Sequence, residues 1–123
     1  MFFALVLAAN AQNLNKQAIC KKWYIHKYRV YWKDYAPEKE EQNDYIQFNN
    51  DMTFNSVDAG EKSTGTWSYD NKKKVIKMYN EKKEALHLKI EELTNEALMF
   101  NLPQIPDMKG VDVYYSVTKK TLK

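Results

Sequence analysis

Apolar and polar residues alternate along most of this chain in short segments bounded by turn-forming residues. A period of two is typical of strands with one buried face. The longest segment, Lys22 to Lys33, changes the parity of its apolar positions partway, which predicts a β-bulge near His26 and Lys27. The other strands are predicted at Asp44 to Phe48, at Met52 to Val57, at Gly65 to Tyr69, at Lys74 to Tyr79, around Leu86, Leu88 and Ile90, around Leu98, Phe100 and Leu102, and around Val111, Val113, Tyr115 and Val117. The pattern predicts an all-β meander of eight strands, preceded by a short helical turn within Gln12 to Ile19.

One stretch, Glu81 to Leu102, combines two conflicting signals. It is rich in Glu, Lys, Ala and Leu, which favour a helix. Its apolar residues at spacing two would point to different sides of a helix, however, and we therefore predict strands here.

Composition narrows the class of protein. A chain of 123 residues with 44% hydrophobic residues fits one globular domain. Cys20 is the only cysteine, so no disulfide can form within the chain. The net charge of +3 arises from basic residues interleaved with acidic ones, and this pattern does not indicate nucleic-acid binding.

The N-terminal segment resembles a secretory signal. Phe2 to Ala9 is uncharged and apolar, and Ala9-Asn10-Ala11 supplies the small-x-small pattern of a cleavage site before Gln12. This predicts a signal remnant at residues 1–11 and an exported domain at residues 12–123, periplasmic or extracellular. A short buried strand or helix is the alternative. The apolar run is too short for a transmembrane helix.

Three groups of residues carry a resemblance to a known family. Cys20-Lys21-Lys22-Trp23-Tyr24 opens the first strand, Asp44-Tyr45-Ile46-Gln47-Phe48 is followed by Met52-Thr53-Phe54, and Gly65-Thr66-Trp67-Ser68-Tyr69-Asp70 forms the fourth strand. Together they look like the small bacterial lipocalin-like domain, a family of exported proteins, over about residues 18–120. The resemblance implies an eight-stranded antiparallel up-and-down barrel that can hold an internal site.

The sequence also departs from the lipocalin pattern in several features. Trp23-Tyr24 is similar to the second half of the lipocalin G-x-W-Y signature, whose tryptophan closes the barrel bottom, but Lys21 stands at the glycine position and the later Thr-Asp-Tyr motif is absent. The basic residue that lipocalins place against this tryptophan is matched only loosely, by Lys119 or Lys120.

Signatures of catalysis and metal binding are absent from the sequence. His26 and His87 have no Cys or carboxylate companions at ligand spacing, so no metal site is predicted. No serine stands in a G-x-S-x-G context, and Cys20 carries no catalytic signature. The charge run Glu38 to Glu41 indicates a solvated loop. We therefore predict neither an enzyme nor a cofactor.

Loop lengths indicate where a ligand would enter. Three long connections, Asp34 to Asn43, Asp58 to Thr64 and Pro103 to Gly110, share one end of the meander and would gather at one mouth. The side chains predicted to line the barrel there are Trp32, Ile46, Trp67, Met78, Leu86, Phe100, Leu102 and Val113. Eight strands enclose either a packed core or room for one small ligand, and alternation does not separate the two.

Two functions follow from these alternatives. The first is binding of a small hydrophobic molecule inside the barrel, oriented by polar groups such as Asp44 or Arg29 at the rim. The second is an interaction module with a filled barrel that engages a protein or the envelope surface. Its outward aromatic candidates are Tyr31, Tyr45, Tyr79 and Tyr114.

Overall fold

The computed structural model describes residues 16–102 and 110–119, which form strands and two short helical turns. Residues 16–19 form one helical turn, and a 3-10 turn, η1, spans Lys39–Glu41. The strands are β1 (Lys22–Val30), β2 (Lys33–Tyr35), β3 (Tyr45–Phe48), β4 (Thr53–Asp58), β5 (Glu61–Asp70), β6 (Val75–Asn80), β7 (Ala85–Leu93), β8 (Ala97–Asn101) and β9 (Val111–Ser116). No helix in these described ranges has the length and apolar character needed to span a membrane.

The strands close into an eight-stranded antiparallel barrel, as predicted. From β3 to β9 each strand pairs with the next, and β1 pairs with both β3 and β9. The start of β1 pairs with β3, where Tyr24 lies opposite Tyr45, and the rest pairs with β9. The register shifts between Ile25 and Lys27, which confirms the predicted bulge. The strands β7 and β8 occupy most of the stretch whose composition favours a helix.

The first strand ends earlier than predicted. It stops at Val30, and Tyr31 and Trp32 form the turn into β2, a short arm paired with β1. Trp32 is 95% exposed, so its predicted position in the barrel lining is wrong. The alternation of apolar residues continues through this turn although the strand does not. Tyr31 adopts a positive φ of 58°, a conformation that most side chains disfavour.

The connection from β4 to β5 is also shorter than predicted. Only Ala59 and Gly60 separate the two strands, and both have positive φ angles. The first residues of β5, Glu61 to Thr64, are polar and lie mostly in solvent, so their sequence shows no alternation to reveal the strand. The predicted long loop at Asp58 to Thr64 is therefore wrong. The predicted loop at 103–110 falls almost wholly, and the predicted signal segment entirely, outside the described residues.

One end of the barrel is closed by tryptophan packing. Trp23 is fully buried, and its indole N–H donates to the carbonyl of Ile19 at 2.9 Å, which fixes the helical turn across this end. The Lys21 ammonium lies 5.7 Å from the centre of the Trp23 ring. In the described part of the chain, Lys21 is therefore the cation that lies beside this indole, whereas the family resemblance suggested Lys119 or Lys120 for that position. Lys120 is outside the described residues.

Candidate binding cavity at the open end of the barrel

The opposite end of the barrel encloses a cavity of about 280 Å³. This open end carries the turns between β1 and β2, β4 and β5, and β6 and β7, and also η1. Most of the cavity wall is apolar and comes from six strands. The apolar lining is Ile46, Val57, Met78, Leu86, Leu88, Phe100, Leu102 and Val113. The polar lining is Tyr28, Glu41, Asp44, Ser56, Asp58 and Tyr115.

Six of the eight side chains predicted to line the barrel lie around this cavity. They are Ile46, Met78, Leu86, Phe100, Leu102 and Val113. Trp67 points inward as predicted and is 2% exposed, but it is not part of the cavity wall. Its ring packs edge-on against Phe48, with the ring centres 5.1 Å apart, and its N–H donates to the Asn49 carbonyl at 3.0 Å. Because the Asn49 carbonyl lies in the turn after β3, this indole belongs to the closed end.

Three carboxyl groups form one side of the cavity. Glu41 ends η1, Asp44 precedes β3 and Asp58 ends β4, and carboxylate oxygens of all three lie within 4.8 Å of one another. The Tyr28 hydroxyl donates to Oε2 of Glu41 at 2.5 Å. Asp44 is only 5% exposed, and its Oδ1 accepts the backbone N–H of Ala59 at 2.7 Å. We call these three residues the acidic cluster.

The local backbone explains how the cluster forms. Oε1 of Glu41 accepts the backbone N–H of Glu38 at 3.1 Å, and the Asp44 N–H donates to the Glu41 carbonyl at 2.9 Å. These bonds fold the segment before β3 into a compact turn over the mouth. The tight turn at Ala59 then brings the end of β4 against the same turn. Residues from three places in the sequence therefore meet at one side of the cavity.

The surroundings of Asp44 disfavour the charged form of its carboxyl group. Burial is the main cause that raises the pKa of Asp44 to about 6; the negative charges of Asp58 and Glu41 contribute to this rise, and the hydrogen bond from the Ala59 N–H opposes it. Burial also raises the pKa of Tyr115, and the neighbouring carboxylates add to that shift. In residues 16–102 and 110–119 the ion pairs join Asp34 to Lys27 and to Arg29, and none involves the cluster.

A wider depression leads from the cavity to solvent. It has a volume of about 570 Å³ and shares Ser56, Asp58, Met78 and Leu86 with the cavity wall. Its outer rim is polar and comes from the turns that follow β4 and β6. The rim includes Glu61, Lys62, Ser63, Asn80, Glu81, Lys82 and Glu84. The cavity therefore opens between these two hairpins, past Asp58.

Comparison with known proteins decides the family. The sequence model of the lipocalin-like domain matches residues 19–100, which is most of the barrel. The chain belongs to the lipocalin-like domain family. Its structure is similar to the crystal structure of a DUF4847 family protein from Bacteroides vulgatus ATCC 8482, with a TM-score of 0.62 over 88% of this chain and 99% of that chain. Because the two sequences are only 12% identical, this similarity shows a shared fold alone. No curated protein matches the sequence.

Among the predicted rim residues of this lipocalin-like protein, Asp44 lies in the cavity and Arg29 does not. Arg29 lies apart from the cavity lining, with its Nε 2.7 Å from Oδ1 of Asp34 and its guanidinium 5.0 Å from the centre of the Tyr114 ring. The predicted rim position of Arg29 is therefore wrong. The reason is alternation along β1: Tyr28 lines the cavity, so the next residue, Arg29, lies on the outer face of the strand.

The outward aromatic residues divide into two groups. Tyr31 and Tyr79 are exposed, as predicted. Tyr45 and Tyr114 are half-buried under cations, since the Lys22 ammonium lies 4.1 Å from the Tyr45 ring centre and the Lys27 ammonium lies 4.8 Å from that of Tyr114. The predicted aromatic patch is therefore not continuous.

Of the polar residues that line this lipocalin-like cavity, the sequence predicted only Asp44. Glu41 belongs to a charge run that indicates a solvated loop, and Asp58 was assigned to a long connection. Tyr28 and Tyr115 do follow the inward parity of their strands. These two tyrosines stand at inward-facing positions that are otherwise apolar. They were therefore the feature of the sequence that could have indicated a polar contact inside the barrel.

Proposed function

We propose that this lipocalin-like barrel binds one small molecule with a largely apolar body in the cavity at its open end. The observation that supports the proposal is a cavity of about 280 Å³, walled by six residues whose alternation predicted an inward position. Ligand pockets in proteins are commonly about 300–1,000 Å³, apolar, with a few convergent polar groups. At about 280 Å³ this cavity lies just below that range and therefore suits a compact ligand.

The expected affinity is moderate. A ligand of about twelve heavy atoms that gains roughly 0.5 kcal/mol per atom would bind with a Kd on the order of 10–100 µM. The hydrophobic contribution comes from contact with the apolar wall, and the opening between the hairpins allows entry without unfolding of a strand.

The test is titration with a neutral probe, 1-octanol, followed by amide chemical shifts in ¹H–¹⁵N NMR spectra. Shifts should cluster at residues of the cavity wall and should be lost in Leu86→Trp, whose larger side chain fills the cavity. Lys89→Trp is the matched control, because Lys89 lies on the same strand with its side chain in solvent. Absence of shifts in the wild-type protein, or equal binding by Leu86→Trp, would refute the proposal. Native mass spectrometry of the protein from its own host would then identify a retained ligand.

The proposed setting is outside the cytoplasm. Its support is the apolar run from Phe2 to Ala9 followed by Ala9-Asn10-Ala11. N-terminal sequencing of the protein isolated from its host should begin at Gln12. A chain that retains its first residues would contradict export by this signal.

A second candidate function is supported by the tip of the β1–β2 hairpin. Trp32 and the 74% exposed Tyr31 lie side by side there, with their ring centres 6.3 Å apart. Exposed adjacent aromatic residues are typical of contact sites for a protein or an envelope surface. A partner retained from envelope extracts by the wild-type protein and lost with Trp32→Ala would support this function. It does not require the cavity, and the two candidates are independent.

A further inference from the structure

The cavity wall is mostly apolar but acidic on one side, and this difference indicates that the ligand also carries a polar group. Apolar residues form most of the wall, whereas Glu41, Asp44 and Asp58 lie together on one side of the same space. A site for a purely apolar molecule has no need of three carboxyl groups. Asp44 is buried, Glu41 is half-buried and Asp58 is exposed at the mouth. Because burial of a carboxylate away from water is costly, the position of Asp44 beside two further carboxyl groups requires an explanation.

The described part of the chain supplies these carboxyl groups with few donors. Ala59 donates its N–H to Asp44, and Glu41 accepts the Tyr28 hydroxyl at Oε2 and the Glu38 N–H at Oε1. An ionised carboxyl group can accept about four hydrogen bonds, so acceptor capacity is left over on the cavity side. The ion-paired cations, Lys27 and Arg29, are bound to Asp34 and lie apart from the cavity lining.

The group that complements such a wall is a cation with several donors. An ammonium group has three N–H donors and no acceptor, and its charge offsets the repulsion among carboxylates placed within 4.8 Å of one another. A ligand carboxylate would add a like charge at the same position. A neutral hydroxyl would satisfy one acceptor and leave the charges uncompensated.

We propose that the ligand is a compact amine, with a protonated amino group held by Glu41, Asp44 and Asp58 and an apolar body against Phe100, Leu102 and Val113. This inference rests on the proposed function, because it concerns the same cavity. The acidic cluster selects the head group of the ligand, and the apolar wall sets the size of its body. The rim of the depression past Asp58 carries Glu61, Glu81 and Glu84 against Lys62 and Lys82, so the entry path has a small excess of negative charge that suits a cation.

The experiment compares three probes that share one alkyl chain: octylamine, 1-octanol and octanoate. Their dissociation constants are measured at pH 7.5 by calorimetry, with NMR shifts to locate the site. Octylamine should bind at least about tenfold more tightly than 1-octanol, and octanoate should bind least well. Glu41→Gln, Asp44→Asn and Asp58→Asn should each reduce the preference for octylamine over 1-octanol by about tenfold. Glu91→Gln, at an exposed position on β7, is the control and should keep the preference.

The outcomes separate this inference from the proposed function. Binding of 1-octanol and octylamine with equal affinity would overturn the amine assignment and leave the apolar cavity site in place. Failure of all three probes would overturn both. Tight binding of Ca²⁺ alone, with shifts confined to the acidic cluster, would identify a metal site and overturn the inference, as would an amine preference unchanged in all three variants. The three substitutions lie at separate positions, so misfolding of one variant leaves two that decide the question.

Discussion

Asp44 offers the sharpest test of the open end, because its burial should make the native protein less stable at neutral pH. Asp44 is 5% exposed, and its carboxyl group lies beside those of Glu41 and Asp58. Burial, assisted by these neighbours, raises its pKa from 3.8 to about 6. Replacement by asparagine removes the charge and keeps a side-chain oxygen that can accept the Ala59 N–H. We therefore expect Asp44→Asn to stabilise the barrel.

The sign and size follow from proton linkage. The folded state binds the Asp44 proton more tightly than the unfolded state, so the protonated carboxyl contributes stability fully below pH 3.8. That contribution is lost as the pH rises through about 6. A shift of this size corresponds to at most about 3 kcal/mol. The Ala59 N–H bonds less strongly to an amide oxygen than to a carboxylate, which reduces the gain, and we expect about 1–2 kcal/mol of added stability for Asp44→Asn above pH 6.

The measurement is urea unfolding of the wild-type protein, Asp44→Asn and Glu91→Gln at several pH values from 4 to 8. The difference between wild type and Asp44→Asn should be largest at pH 7–8 and should shrink as the pH approaches 4. Asp34, whose pKa the Arg29 hydrogen bond lowers to about 2, has the opposite dependence on pH but is common to all three proteins. A destabilised Asp44→Asn at pH 7.5, or a difference that does not vary with pH, would refute the reasoning.

Three further substitutions test the packing of the barrel by the same unfolding assay. Trp67→Ala should lose about 3–5 kcal/mol, because the indole is buried and its N–H donates to Asn49; a loss under about 1 kcal/mol would contradict this packing. Trp32→Ala should change stability by less than about 0.5 kcal/mol, since the ring is exposed, and a larger loss would show an unrecognised contact. Gly65→Ala should lose more than about 2 kcal/mol, because a β-carbon there would lie 1.9 Å from the carbonyl oxygen of Tyr79; wild-type stability would refute the close approach.

The strands were predictable where one face of each meets the core. Leu88, Leu98 and Phe100 are buried on β7 and β8, and their spacing of two prevailed over the helix propensity of the surrounding residues. Burial of one face stabilises a strand more than the small propensity differences between residues disfavour it. The bulge between Ile25 and Lys27 was predictable for the same reason, because it appears as a change in parity of buried positions.

The ends of the strands were less predictable. No Gly or Asn marks the turn at Tyr31 and Trp32, so nothing local shows that β1 stops at Val30. Gly60 does mark a turn, but the polar start of β5 conceals where the strand resumes. In both places the boundary depends on pairing with a neighbouring strand, and a period of two carries no information about where that pairing ends.

The residues of the cavity likewise include some that the sequence predicts and others that it does not. Residues such as Met78 and Leu86 occupy the cavity wall because they continue an inward stripe, and that stripe is visible in the sequence. Glu41 and Asp58 reach the cavity because η1 folds over the mouth and the Ala59 turn meets it, through hydrogen bonds between residues that are far apart in the chain. Such contacts between loops have no periodic signature, so only Asp44 could be proposed from its position next to a strand.

The two ends of the barrel also differ in how their buried polar groups affect the stability of the fold. At the closed end each buried indole N–H has a carbonyl acceptor, from Ile19 for Trp23 and from Asn49 for Trp67, so burial there adds stability with no polar group left over. At the open end a carboxyl group is buried next to two others, and we expect this arrangement to lower stability at neutral pH. Folding alone does not require this arrangement, since asparagine would make the same bond to the turn. Local departures from favourable packing of this kind are expected at functional sites. The acidic cluster is therefore the part of the barrel for which the proposed binding function, rather than folding, better accounts for the residues present.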